Sequence, residues 1–106
     1  MTDKVVVLVT FENEAQARKV AEAVVGEKLA ACVNVVRLVN SCYVWEGKMT
    51  WSDEALGVIK TTRGKFARLE KRIRELHSYD TPEIISLGIE DGSEKYLAWI
   101  DRSVGE

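Results

Sequence analysis

The chain has 106 residues, 46% hydrophobic and 30% charged, and its 15 basic and 17 acidic side chains leave a formal net charge of −2. That length supports one core and one domain, 1–106, without disulfide staples. The charge lacks the positive excess that attracts a phosphate backbone, so nucleic acid is not an expected partner. The apolar stretch after Lys4 is too short for a signal segment or a membrane span. Two cysteines make no disulfide framework, and the expected compartment is the cytoplasm.

Residues 4–10 (KVVVLVT) form a β-branched run without helical spacing, which predicts a strand buried on both faces. Asn13 with Gln16 three positions later resembles a capping box, and Ala17, Val20, Ala21, Val24 and Lys28 share one helical stripe. A helix over about 14–29 follows. Valine-rich residues 32–45 and extended residues 48–61, joined through Glu46, Gly47 and Lys48, predict a long hairpin. After Arg63 and Gly64, the spacing of Phe66, Leu69, Ile73 and Leu76 predicts a second helix over about 65–77, with Glu70 and Arg74 placed to pair on its solvent side. Pro82 closes that region and residues 84–89 form a short strand, followed by a turn at Asp91 and Gly92. Ser93 then caps a final helix carrying Tyr96, Leu97 and Ile100.

This order is that of an α+β, ferredoxin-like β-α-β-β-α-β sandwich with a long central hairpin and a C-terminal helix, both main helices covering one face of an antiparallel sheet. The opposite face then lies open, yet the first strand is apolar on both parities: Val5, Val7 and Val9 on one, Val6 and Leu8 on the other. Another chain or the C-terminal segment must cover it. Hairpin arms of about 13 residues at roughly 3.3 Å each reach on the order of 40 Å, farther than so small a body can support. Strand addition to neighbouring subunits in a closed ring would satisfy those edges.

Several segments together resemble one family, the CutA divalent-cation tolerance proteins: LAACVN from Leu29, YVWEGK from Tyr43, Lys60 with Thr61, LHSYDTPEI from Leu76 and GSEKYLAW from Gly92. They run in order over nearly the whole chain; Ser78 and Gly88 stand where that family often has proline. The resemblance implies a ferredoxin-like subunit in a PII-like homotrimer, hairpins paired between subunits, and a link to copper and other divalent cations. It also implies that Tyr43, Trp45, Lys60, Tyr79, Glu83 and Trp99 gather at a cleft between subunits.

Cys32 and His77 are the candidate metal ligands, since thiolate and imidazole suit copper and zinc; the expected cofactor is Cu(II) or another divalent cation. The plainer readings are that Cys32 is a small buried hydrophobe and that His77 closes the second helix. Cys42, ten strand positions from Cys32 and thus about 33 Å away, cannot join it in a site or a disulfide. No CxxC or HxxxH spacing exists, so a metal site needs a second subunit, carboxylates or water. The aromatic group fits either a small-ligand cleft or plain interface anchors, and Lys60 with Glu83 either a structural ion pair or a ligand clamp. No Gly-rich phosphate loop, G-x-S-x-G elbow or HExxH is present, and a single histidine restricts acid–base schemes, so an enzyme is not expected. Acylphosphatase-like chemistry lacks its anion cradle after the first strand, and RNA binding lacks aromatics on that strand.

Overall fold

A computed structural model describes residues 2–105. Its elements are β1 (Lys4–Phe11), α1 (Glu14–Gly26), β2 (Cys32–Trp45), β3 (Lys48–Thr62), a 3₁₀ turn (Arg63–Lys65), α2 (Phe66–Leu76), β4 (Ile84–Gly88) and α3 (Glu94–Val104). The strands form one antiparallel sheet in the order β2-β3-β1-β4, the ferredoxin-like arrangement expected from the element order.

Alternation along β1 sets the layers. Val5, Val7, Val9 and Phe11 are buried with Ala17, Val20 and Val24 of α1, Leu69 and Ile73 of α2, and Ala55 and Ile59 of β3. Asn13 caps α1 by accepting the Gln16 amide hydrogen at 2.9 Å. The second half of the expected capping box is not made: the Gln16 side chain reaches the Leu76 carbonyl and the Ser78 amide instead, tying α1 to the end of α2. Helix α1 stops short of residue 29 because Lys28 turns left-handed, φ 61°, letting the Leu29 amide close on the Val24 carbonyl at 2.9 Å. Arg63 and Gly64 do not merely break the chain pattern but lead into α2 as a 3₁₀ turn. The Glu70–Arg74 pair forms at 3.2 Å, and Ser93 caps α3 by accepting the Tyr96 amide hydrogen.

On the other face, α3 covers one end only. Ile100 and Val104 pack with Ala31 and Leu97 in a cluster of their own, and Asp101 meets Lys4 at 2.8 Å. The rest of that face carries Val6, Leu8, Leu56 and Val58, half-buried, and Val36, Ile85 and Leu87, exposed.

The hairpin turns through Glu46 and Gly47, both at positive φ (51° and 80°), a two-residue turn whose twist suits antiparallel strands. Lys48–Glu54 pair with β2 alone, since β1 reaches β3 only from Ala55 to Thr62. The hairpin therefore overhangs the body, and the molecule measures 45 × 25 × 22 Å. A bulge shifts the register between Val36 and Val39. One extra residue there reverses the parity of β2, so Tyr43 and Trp45 share a face with Asn34 and Val36.

Candidate functional site

The overhang and the segment after α2 meet at the end of β1. Gly57 leaves room there: a Cβ at that position would stand 3.0 Å from the Phe11 ring, so a side chain would require the ring to give by a few tenths of an ångström. On Phe11 stacks His77, ring centroids 5.0 Å apart and planes 14° from parallel. The backbone of His77 closes α2 through its amide to the Ile73 carbonyl, while its side chain leaves the helix and is buried.

Both imidazole nitrogens are engaged. Nε2 lies 2.7 Å from the Thr10 carbonyl oxygen, an acceptor, so this nitrogen carries the hydrogen. Nδ1 accepts the Tyr79 amide hydrogen at 3.0 Å. The imidazole thus pins residues 77–79 against β1, and a metal ion could reach Nδ1 only by displacing the Tyr79 amide.

Past this pin, Tyr79 tilts against His77 at 4.9 Å and donates its hydroxyl hydrogen to the Glu54 carboxylate at 2.7 Å. Burial first, and then the Glu54 carboxylate, push the Tyr79 phenol well above its ordinary 10.0, so it stays protonated. Tyr43 donates to the Ser52 hydroxyl at 3.1 Å across the hairpin. Between Tyr43, Trp45, Tyr79, Asp80 and Thr81 lies a cavity of about 530 Å³, a size that suits a small ligand.

The expected groups divide. Tyr43, Trp45 and Tyr79 come together at this cavity, and Glu83 is exposed just before β4. Lys60 lies ten positions along β3 from Thr50, the partner of Tyr43, hence roughly 33 Å away on an extended strand. Its ammonium hydrogen-bonds to the Asn34 side chain, and it makes no ion pair with Glu83 among the described residues. Trp99 sits on α3 against Tyr96, centroids 5.5 Å apart. One chain does not unite the six residues. Thr61 beside Lys60 is wholly buried and donates to the Leu29 carbonyl at 2.8 Å, holding the α1–β2 connection.

Nor does one chain unite the metal candidates. Cys32, half-buried, pairs with Lys60 on the open face of the sheet and lies against the Tyr96 hydroxyl, whereas His77 stacks on Phe11 at the helix-covered face. Burial first, and then Cys32, raise the Tyr96 phenol above its ordinary value. Among the described residues no three His, Cys, Asp or Glu side chains gather as a metal site would require. Phe11, Glu54 and Gly57 belong to the site as well, and a glycine inside a strand is the one sequence signal that points to them.

Comparison with known proteins places this architecture. The divalent-cation tolerance protein CutA of Thermus thermophilus is 43% identical over 94% of this chain and 97% of its own length. The chloroplastic protein CutA of Arabidopsis thaliana is 44% identical over 93% of this chain, which spans 54% of that longer protein. The solved structure of the divalent cation tolerance protein from Thermus thermophilus superposes with a TM-score of 0.92 at 42% identity, over 96% of this chain and 99% of that one. The family model described as CutA1 divalent ion tolerance protein matches residues 5–103, and the chain belongs to that family.

Proposed function

We propose that this single-domain chain is a homotrimeric divalent-cation tolerance protein of the cytoplasm, binding copper(II) or another divalent cation rather than catalysing a reaction. The observation that carries the reading is apolar surface that the chain itself does not cover. The open sheet face shows Val36, Ile85 and Leu87, and the overhang is apolar on both sides: Tyr43 and Trp45 on one, Val44, Met49 and Trp51 on the other. Monomers seldom expose such contiguous patches, and a ring of subunits would cover the faces and the free edges together. Three subunits is the number that resemblance to the CutA family implies.

Among the described residues one chain alone gathers no closed cation site, so the ion is held between subunits. Cys32 supplies the thiolate there, with carboxylates from a neighbour, and His77 joins only by exchanging its bond to the Tyr79 amide. Calorimetric titration of the assembled protein with Cu(II) and Zn(II) tests this. Saturable binding that vanishes on substituting Cys32→Ala and His77→Ala supports it. Weak, unsaturable binding unchanged by both substitutions overturns it.

A second reading has its own support, the cavity of Tyr43, Trp45 and Tyr79. In that reading the assembly is a PII-like signalling or scaffold trimer with a small molecule or a partner's tail in the cleft. Thermal shifts of the wild type against a metabolite panel test it, and a panel without any shift contradicts it.

A further inference from the structure

Positive charge gathers along α2 and the turn before it. From Arg63 to Leu76 the chain holds six basic residues, Arg63, Lys65, Arg68, Lys71, Arg72 and Arg74, against two acidic ones, Glu70 and Glu75. That segment therefore carries +4 in a chain of net −2, and the rest of the chain carries −6. The two carboxylates of α2, and Glu27 of α1, are already taken: Glu27 and Glu75 by Arg72 at 3.0 and 3.4 Å, and Glu70 by Arg74 at 3.2 Å. Among the described residues Lys65, Arg68 and Lys71 make no ion pair. Leu69 and Ile73 turn to the core, so Arg68 and Lys71, both exposed and three positions apart, share the solvent side of the helix, with Lys65 half-buried in the turn before it. This side of α2 lies across the sheet from the open face. The overhang is distant as well, since it meets the chain after α2, whereas the turn before α2 bonds to Asp3 at the start of β1. The subunit contacts proposed above therefore leave these cations in solvent.

We infer that the solvent side of α2 is a docking surface for a short acidic segment of another protein, whose carboxylates pair with Lys65, Arg68 and Lys71. Charge complementarity names the partner's sign, and the extent of the patch names its size. From Lys65 to Lys71 the helix rises about 9 Å at roughly 1.5 Å per residue, the reach of about three residues of an extended chain. A nucleic acid or an anionic membrane runs on past so small a patch and meets the −6 of the rest of the chain, which repels it. A short acidic segment ends within the patch and avoids that repulsion. Because the cations are solvated, the pairing is screened by salt and serves recognition and encounter more than tight binding.

The test compares three probes on the whole protein at low salt: a fluorescent hexaglutamate peptide, an oligothymidylate, and vesicles of phosphatidylserine with phosphatidylcholine. Hexaglutamate is expected to bind saturably, and to weaken as salt is raised from about 50 to about 200 mM. Arg68→Gln with Lys71→Gln alters exposed side chains outside the core, so folding and assembled mass are retained, and the pair is expected to weaken hexaglutamate by about fivefold or more. Arg68→Lys with Lys71→Arg keeps the charge and is expected to keep the affinity within about twofold. Hexaglutamate that fails to saturate, or that binds the glutamine variant as well as the wild type, refutes the docking surface. Oligothymidylate or vesicles bound as tightly as hexaglutamate, and lost in the glutamine variant, refute the acidic-protein assignment in favour of that other polyanion. Sedimentation of the wild type at low salt supplies the last arm: growth beyond its assembled mass that the glutamine variant abolishes makes the occupant a second copy of this chain and overturns the assignment to another protein.

Discussion

The two halves of β3 belong to one continuous strand and live in different surroundings. From Ala55 to Thr62 it lies between β1 and β2, with Ala55, Ile59 and Thr61 no more than 1% exposed under the helices. From Lys48 to Glu54 it pairs with β2 alone, and Met49 and Trp51 are 76% and 67% exposed. Both halves carry large apolar residues, Leu56, Val58 and Ile59 in the inner and Met49 and Trp51 in the outer, so strand propensity does not distinguish them. The inner half is apolar because this chain covers it; the outer half is apolar with nothing in the chain to cover it. Apolar surface that contributes nothing to the core of its own subunit is best explained by a neighbour.

Substitutions can break that comparison. Ile59→Ala removes a buried side chain of the inner half and should lower subunit stability by about 2–5 kcal/mol, read from denaturant unfolding of the whole protein. Trp51→Ala in the outer half should leave the subunit within about 0.5 kcal/mol of wild type, measured under conditions where subunits are already apart, while weakening assembly. If Trp51→Ala destabilised the isolated subunit as much as Ile59→Ala, the overhang would belong to the core after all.

The junction between the halves carries the smallest effect, and it is a matter of pH. The Tyr79 phenol is raised in the folded state, so the fold holds a proton that the unfolded chain releases from about pH 10 upward. The contribution is complete below that pH and declines as pH rises above it. Lys4, raised by Asp101 first and Asp3 second, acts in the same direction above its ordinary 10.5. Tyr79→Phe should therefore flatten the alkaline loss of melting temperature without abolishing it, because the Lys4 part persists. An identical alkaline profile in the variant would remove Tyr79 from the account.

Much of the frame was legible beforehand because its signals are local. A β-branched run makes β1, Asn13 and Ser93 cap their helices, and the Glu46–Gly47 turn sets the hairpin register. Less visible was whatever depends on residues far apart. The bulge after Val36 has no glycine or proline to announce it, and α1 ends on a left-handed lysine instead of a glycine. The bridge from Gln16 to Leu76 spans 60 positions, and the bond from His77 to Thr10 spans 67. His77 was readable as a ligand or a helix closure from its residue type. Its use as a pin between β1 and Tyr79 depends on Phe11, Gly57 and a backbone carbonyl, none of which is a chemical motif. Lys60 and Glu83 were readable as a pair and are not one within the subunit, because β1 runs between β3, which carries Lys60, and β4, which Glu83 precedes.

The central claim, that the open face and the overhang are subunit contacts, is tested most directly by sedimentation equilibrium of the wild type beside the Leu8→Glu, Leu87→Glu double variant. Both side chains lie on the uncovered face and neither belongs to the core of the subunit. The account predicts a wild-type mass about three times the 11.9 kDa of the chain and a folded variant at the mass of one chain. A wild type that sediments as a single chain, or a variant that keeps the full assembled mass, would contradict it.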